Sequence, residues 1–166
     1  FMFGRGAEEA AFLTSHGVLV QVVAGITAGM AVPAYLGIPL THRLSGSAVT
    51  FVTGHEGIEK NRPPVDWKAL AKATDGLVIY MGIHNLQFIA EQLIAGGLDP
   101  STPAAVIQQG TVIGQRCIKS PLNQIFDKVK ACEFASPSIV IIGAVVDLQV
   151  LACSPMPAKV TMPVVF

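Results

Sequence analysis

Charge is scarce in this 166-residue sequence: 13% of the residues are charged, and 11 acids balance 11 bases. A zero net charge removes the broad positive field of a general nucleic-acid binder, although basic side chains can still gather around an acidic ligand. Cysteine is also sparse. Cys117, Cys132 and Cys153 are widely spaced, odd in number and outside any CxxC or Cys/His cluster. That pattern points to reduced thiols in a cytoplasmic protein, not to a disulfide framework. His16, His42, His55 and His84 lack HExxH or similar ligand spacing, so no metal is expected. Walker A, GxGxxG and GxSxG patterns are all missing, and with them three familiar chemistries. No internal repeat is visible.

Apolar residues, by contrast, make up 51% of the chain. That supplies a packed core for one ordinary domain or two small ones and argues against disorder. Residues 17–41 carry no charge, a stretch long enough to span a bilayer. Its interior argues otherwise. A short β-branched run at 18–23 contains Gln21, and Gly25, Thr27, Pro33 and Pro39 follow. This reads as buried strand, turn, helix and loop, so no membrane span is expected. No signal peptide is visible in the sequence as it stands.

Helical and strand patterns alternate along the chain. Helices are expected over 7–16, 27–35, 66–73, 85–95, 121–131 and 146–151. Their end signals are Glu8 and Glu9 in a first turn, Thr27 and Asp66 as caps, Pro121 at a start, and Gly17, Gly96 and Gly97 as stops. Strands are expected over 18–23, 48–52, 77–81, 104–108, 111–118 and 139–142. Residues 37–45 form a loop, and the polar, proline-bearing stretch 56–65 is a linker or mobile loop. The result is an α/β class with a mixed sheet. The apolar tail 154–166 receives no role.

Read from the residues alone, few groups carry chemistry. Gly25, Ile26, Thr27 and Ala28 lie between a strand and a helix. Small residues there let a ligand approach the backbone, and a helix N-terminus can hold a carboxylate. Gly4-Arg5-Gly6-Ala7-Glu8-Glu9 reads either as a functional loop or as a solvated helix start. Arg43, after Thr41 and His42, either grips a carboxylate or is simply exposed. Asp66 and Trp67 read as a cap and a packing anchor, and Met81 as core.

Taken in order, several segments resemble one family. They are FGRGAEE, VVAGITAGMAVPAYLGIPLTHR, FVTGHEG, DWKALAKATDGLVIYMGIHNL, LIAGGLDPSTPAAVIQQGT, GQRCI and SPSIVIIGAVV. From residue 1 to about 150 the chain is similar to the uroporphyrinogen-III C-methyltransferases. The looser pattern is shared across the wider tetrapyrrole methylases. The resemblance implies two α/β domains with a cofactor cleft between them. Residues 1–45 would be the end of the tetrapyrrole-binding domain, 46–150 the second domain, and 151–166 an unassigned tail.

It further implies a homodimer that transfers methyl groups from S-adenosylmethionine to uroporphyrinogen III, by way of precorrin-1 to precorrin-2. That chemistry serves siroheme or cobalamin synthesis and involves no metal, nucleic acid or membrane. The family's glycine-rich GxGPGD and GGDP turns, which would precede Phe1, are not in this sequence. The chain alone is therefore expected to methylate poorly and to associate through exposed apolar strand edges. Matching motif to motif, Met2, Thr27, Ala28, Met81 and Gly110 fall at cofactor contacts. Arg5 and Glu8 match a catalytic RGGEE loop facing the tetrapyrrole, and Arg43 matches the Arg of LTHR. Two departures occur: Ala24 replaces the proline of PGIT, and Ala7 a glycine. Arg is a poor base, so Arg5 is expected to act electrostatically. Alternatives are a methylase of later precorrins, a more distant methylase of RNA or protein, or a catalytically incomplete piece.

Overall fold

A computed structural model describes residues 1–54 and 64–148. Most of the expected linker, residues 149–151 of the last expected helix, His55, Cys153 and the tail lie outside the described residues.

A five-stranded mixed sheet forms the centre. Its order is β1 (Val49–Thr53), β2 (Gly76–Tyr80), β5 (Ser138–Gly143), β3 (Pro103–Gln108) and β4 (Arg116–Pro121). β1 and β2 are parallel, and the other pairs are antiparallel, with Leu77 opposite Ile142 and Val106 opposite Val140. Successive strand residues face opposite sides. In the three middle strands both sides are apolar, as a sheet covered on two faces requires.

One face is formed by Leu77, Ile79, Val106, Val140 and Ile142. It packs on Trp67, Leu86, Ile89, Leu93 and Ile125 from α3 (Trp67–Ala73), α4 (Leu86–Ala95) and α5 (Leu122–Ala131). The other face carries Val78, Ala105, Ile107, Ile139 and Ile141. It is covered by Val32 of α2 (Ala28–Tyr35), by Leu36 and Ile38 behind that helix, and by Val146.

Local sequence explains the helices. Asp66 accepts a hydrogen bond from the Ala69 amide at 2.9 Å, capping α3. Leu86, Ile89, Ala90 and Leu93 recur at helical spacing and are the buried residues of α4. Gly96 closes that helix on the carbonyls of Gln92 and Leu93. Trp67 is buried, as a packing anchor should be.

One expected strand is absent and another begins five residues late. Residues 18–23 carry no regular structure, and Leu19 and Val23 are 97% and 86% exposed. A β-branched run favours extended backbone, but a strand also needs a neighbour to bond, and no described strand pairs with it. Residues 111–115 turn before β4 begins at Arg116. Thr111 and Gly114 have φ of 67° and 94°, outside the β region. The first helix, α1 (Gly6–Ser15), forms where expected but buries none of its residues.

Candidate functional site

β1, β2 and β3 run in one direction, so their carboxyl ends share an edge of the sheet. A cavity of about 570 Å³ opens there. It lies between α2, which contributes Ala28 and Val32, the ends of β2 and β3 with Tyr80, Met81, Ile107, Gln109 and Gly110, and Pro137 to Ile139 at the start of β5. The lining is mostly apolar.

The turns at this edge are conformationally costly. Met81 and Gln109 have φ of 52° and 50°, and Thr111 follows them with its own positive φ. Left-handed backbone at a non-glycine residue costs roughly 1–3 kcal/mol and clusters at ligand sites. Gly110 must be glycine for a different reason: a methyl group on it would overlap the side chain of Val32. The turn after β3 therefore sits directly against α2.

Tyr80 closes the other side of the cavity. Its hydroxyl lies 2.6 Å from Thr27 Oγ1 and accepts the Gly29 amide, also at 2.6 Å. Thr27 is the residue before α2, yet its own side chain makes no capping bond. The Phe3 ring rests 5.0 Å from the Tyr80 ring, at an interplanar angle of 52°. In the YMG segment the family motif marks the Met, while the Tyr is signalled only by a phenol at the end of an otherwise apolar strand.

The residues expected to contact a cofactor are therefore brought together in part. Ala28, Met81 and Gly110 line one cavity, and Thr27 is joined to its wall through Tyr80. Met81 is 47% exposed at the cavity, so the reading of its side chain as core is corrected: its positive φ turns the chain out of the strand alternation. Met2 is not part of the lining and is 44% exposed; it neighbours the cavity through Phe3.

Arg5 and Glu8 form an exposed ion pair at 2.8 Å. The hydrogen bond from Arg5 to Glu8, reinforced by that carboxylate's charge, holds the guanidinium above its ordinary pKa. Arg5 therefore stays charged and does not accept a proton. Arg43 is exposed and stands apart from the cavity lining. It lies in a turn closed by a bridge between His42 and Gly46, beside a shallower hollow lined by Met30, Ile38 and His42. The turn is fixed to the sheet by Asp75, whose carboxylate accepts the Ser47 and Ala48 amides at 2.9 and 3.0 Å. Among the described residues, no group of His, Cys, Asp and Glu has metal-binding geometry, and no helix is long and apolar enough to cross a membrane.

A mixed α/β sheet with a largely apolar cavity and left-handed turns at its carboxyl edge is the arrangement in which α/β proteins commonly hold small molecules. The comparisons with known proteins make this specific. Residues 1–125 match the family model described as "Tetrapyrrole (Corrin/Porphyrin) Methylases", and the chain belongs to that family. It is 49% identical over 147 residues to a uroporphyrinogen-III C-methyltransferase of Synechocystis, covering 89% of this chain and 56% of that one. It is 45% identical over 149 residues to an S-adenosyl-L-methionine-dependent uroporphyrinogen III methyltransferase of Methanosarcina barkeri, covering 90% and 58%. A crystal structure of the Thermus thermophilus uroporphyrin-III C-methyl transferase, complexed with S-adenyl homocysteine, superposes with a TM-score of 0.73 at 33% identity. It covers 88% of this chain and 62% of that one. The chain thus spans little more than half the length of these relatives.

Proposed function

We propose that this chain carries part of a uroporphyrinogen-III C-methyltransferase, in which residues 1–45 are the end of the tetrapyrrole-binding domain, 46–150 are the second domain, and the cofactor lies between them. The observation that carries the reading is the convergence of Ala28, Met81 and Gly110 on one cavity, together with a relative whose structure holds S-adenyl homocysteine. The cavity's volume is in the range of small-molecule sites, and its largely apolar walls suit the flat ring system of a nucleoside. Thr27, Ala28, Met81 and Gly110 hold that cofactor, with Met2 at the edge.

When bound, S-adenosylmethionine supplies an electrophilic methyl group to a pyrrole carbon of the tetrapyrrole. The apolar lining keeps water from competing, and the fixed turns align the two reactants; alignment is the main catalytic need of such a displacement. Transfer breaks the methyl–sulfur bond and leaves a thioether; the acceptor carbon is already fully substituted, so the cationic macrocycle regains neutrality by releasing a proton to solvent from another position. Arg5, held cationic by Glu8, does not take it. Arg5 and Arg43 instead fork the substrate's carboxylates. Uroporphyrinogen III, then precorrin-1, are the substrates, and the working form is a cytoplasmic homodimer.

The test is methyl transfer by the gene product that contains this sequence, using labelled S-adenosylmethionine. With uroporphyrinogen III as acceptor, label is expected in precorrin-1 and precorrin-2. Label entering only later precorrins would assign the chain to a later methylase, and label in no tetrapyrrole would end the proposal.

A further inference from the structure

The Tyr80 hydroxyl is placed where a helix cap belongs. In α2 the second helical amide, that of Gly29, needs an acceptor, and the residue before the helix normally provides it. Thr27 does not. The acceptor is Tyr80 Oη, 51 residues further along the chain. Since Gly29 can only donate, the hydroxyl accepts there, and its own proton is available to Thr27 Oγ1 at 2.6 Å. Gly29 fits this arrangement: a methyl group on it would overlap the phenol itself. Packing alone does not call for the oxygen. A Phe ring would fill the same space at the end of β2 and against Phe3, but would leave the Gly29 amide and the Thr27 hydroxyl without this partner.

We infer that Tyr80 is a positioning residue, whose hydroxyl locks residues 27–29 to the end of β2 and so sets the mouth of the cavity for its ligand. The three groups sit at one corner of that cavity, since Ala28 and Tyr80 both line it. The inference deepens the cofactor reading and rests on it for the identity of the ligand. The lock itself rests only on the two hydrogen bonds.

The experiment compares this chain with its Tyr80→Phe variant by two readouts. Amide hydrogen exchange of Gly29, followed by NMR, reports the lock directly. Calorimetric titration with S-adenosylhomocysteine reports the cavity. Loss of the bond is expected to speed Gly29 exchange on the order of tenfold while the amides of β3 keep their protection, and to raise the Kd for S-adenosylhomocysteine on the order of tenfold. Thr27→Val removes the second partner without touching the ring. Because Thr27 is itself assigned to the cofactor, this variant is read by Gly29 exchange, which should quicken as the Tyr80 hydroxyl loses its second partner, and that readout carries the test of the lock if Tyr80→Phe does not fold. Unchanged Gly29 exchange would overturn the lock. Faster exchange at an unchanged Kd would overturn its positioning role, as would faster exchange spread evenly through β2 and β3. If neither protein binds S-adenosylhomocysteine while Gly29 exchange still accelerates, the cofactor reading fails and the lock stands.

Discussion

α1 buries none of its ten residues, whereas α4, of equal length, buries four. The contrast extends beyond helices. Leu19, Val23 and Ile26 are 97%, 86% and 78% exposed, while Val78, Ile79 and Val106 are fully buried. Residues 1–26 expose many apolar side chains with no described surface to cover them, and they meet the sheet where Phe3 lies on Tyr80. From Ala28 onward the chain joins the second core through Val32, Leu36 and Ile38. Well-packed structure thus begins at the Thr27–Tyr80 contact. The lesson is that hydrophobicity stabilises only where a partner surface removes it from water, and that the candidate site lies at the seam between the two regimes.

Substitutions should divide along this seam. The largest loss is expected for Leu93→Ala, at a fully buried position. It should cost about 2–5 kcal/mol in urea unfolding through lost burial and the cavity left behind. Gly110→Ala comes next. Its new methyl would push into Val32, so about 1–3 kcal/mol of overpacking and weaker S-adenosylhomocysteine binding are expected in parallel measurements. Asp66→Ala removes the α3 cap and should cost about 1 kcal/mol by thermal unfolding. Leu19→Ser should change stability by less than about 0.5 kcal/mol, while lowering light scattering from self-association, because it removes an exposed apolar side chain. A Leu19→Ser cost matching that of Leu93→Ala would abolish the distinction between the two regions.

Much of the sheet half was legible because its signals are local or periodic. Asp66 announces a cap, the spacing of Leu86, Ile89 and Leu93 announces a buried helix face, and the apolar runs at 77–81 and 139–142 announce buried strands. The resemblance of the motifs then directed attention to Ala28, Met81 and Gly110. What escaped depends on distant partners or on backbone conformation. The 18–23 run has strand composition, but pairing is a property of the neighbour. In 111–115, Thr-Val-Ile reads as strand, and only Gly114 hinted at the turn that Thr111's positive φ begins. Met81 looks like core because it follows four apolar or aromatic residues; its φ of 52° sends it to the cavity instead. Tyr80's bond to Thr27 spans 53 residues, and no local pattern encodes it. The Arg5–Glu8 pair, three residues apart on a helix start, could be read from spacing.

The central claim is that the cavity at the seam is a cofactor site, and titration of the isotope-labelled chain with S-adenosylhomocysteine, followed by NMR, tests it most directly. Saturable shifts are expected at the amides of Ala28, Met81 and Gly110, with the α3 and α5 amides unmoved. Shifts confined to the hollow around Met30, Ile38 and His42, or no saturable shift anywhere, would contradict it.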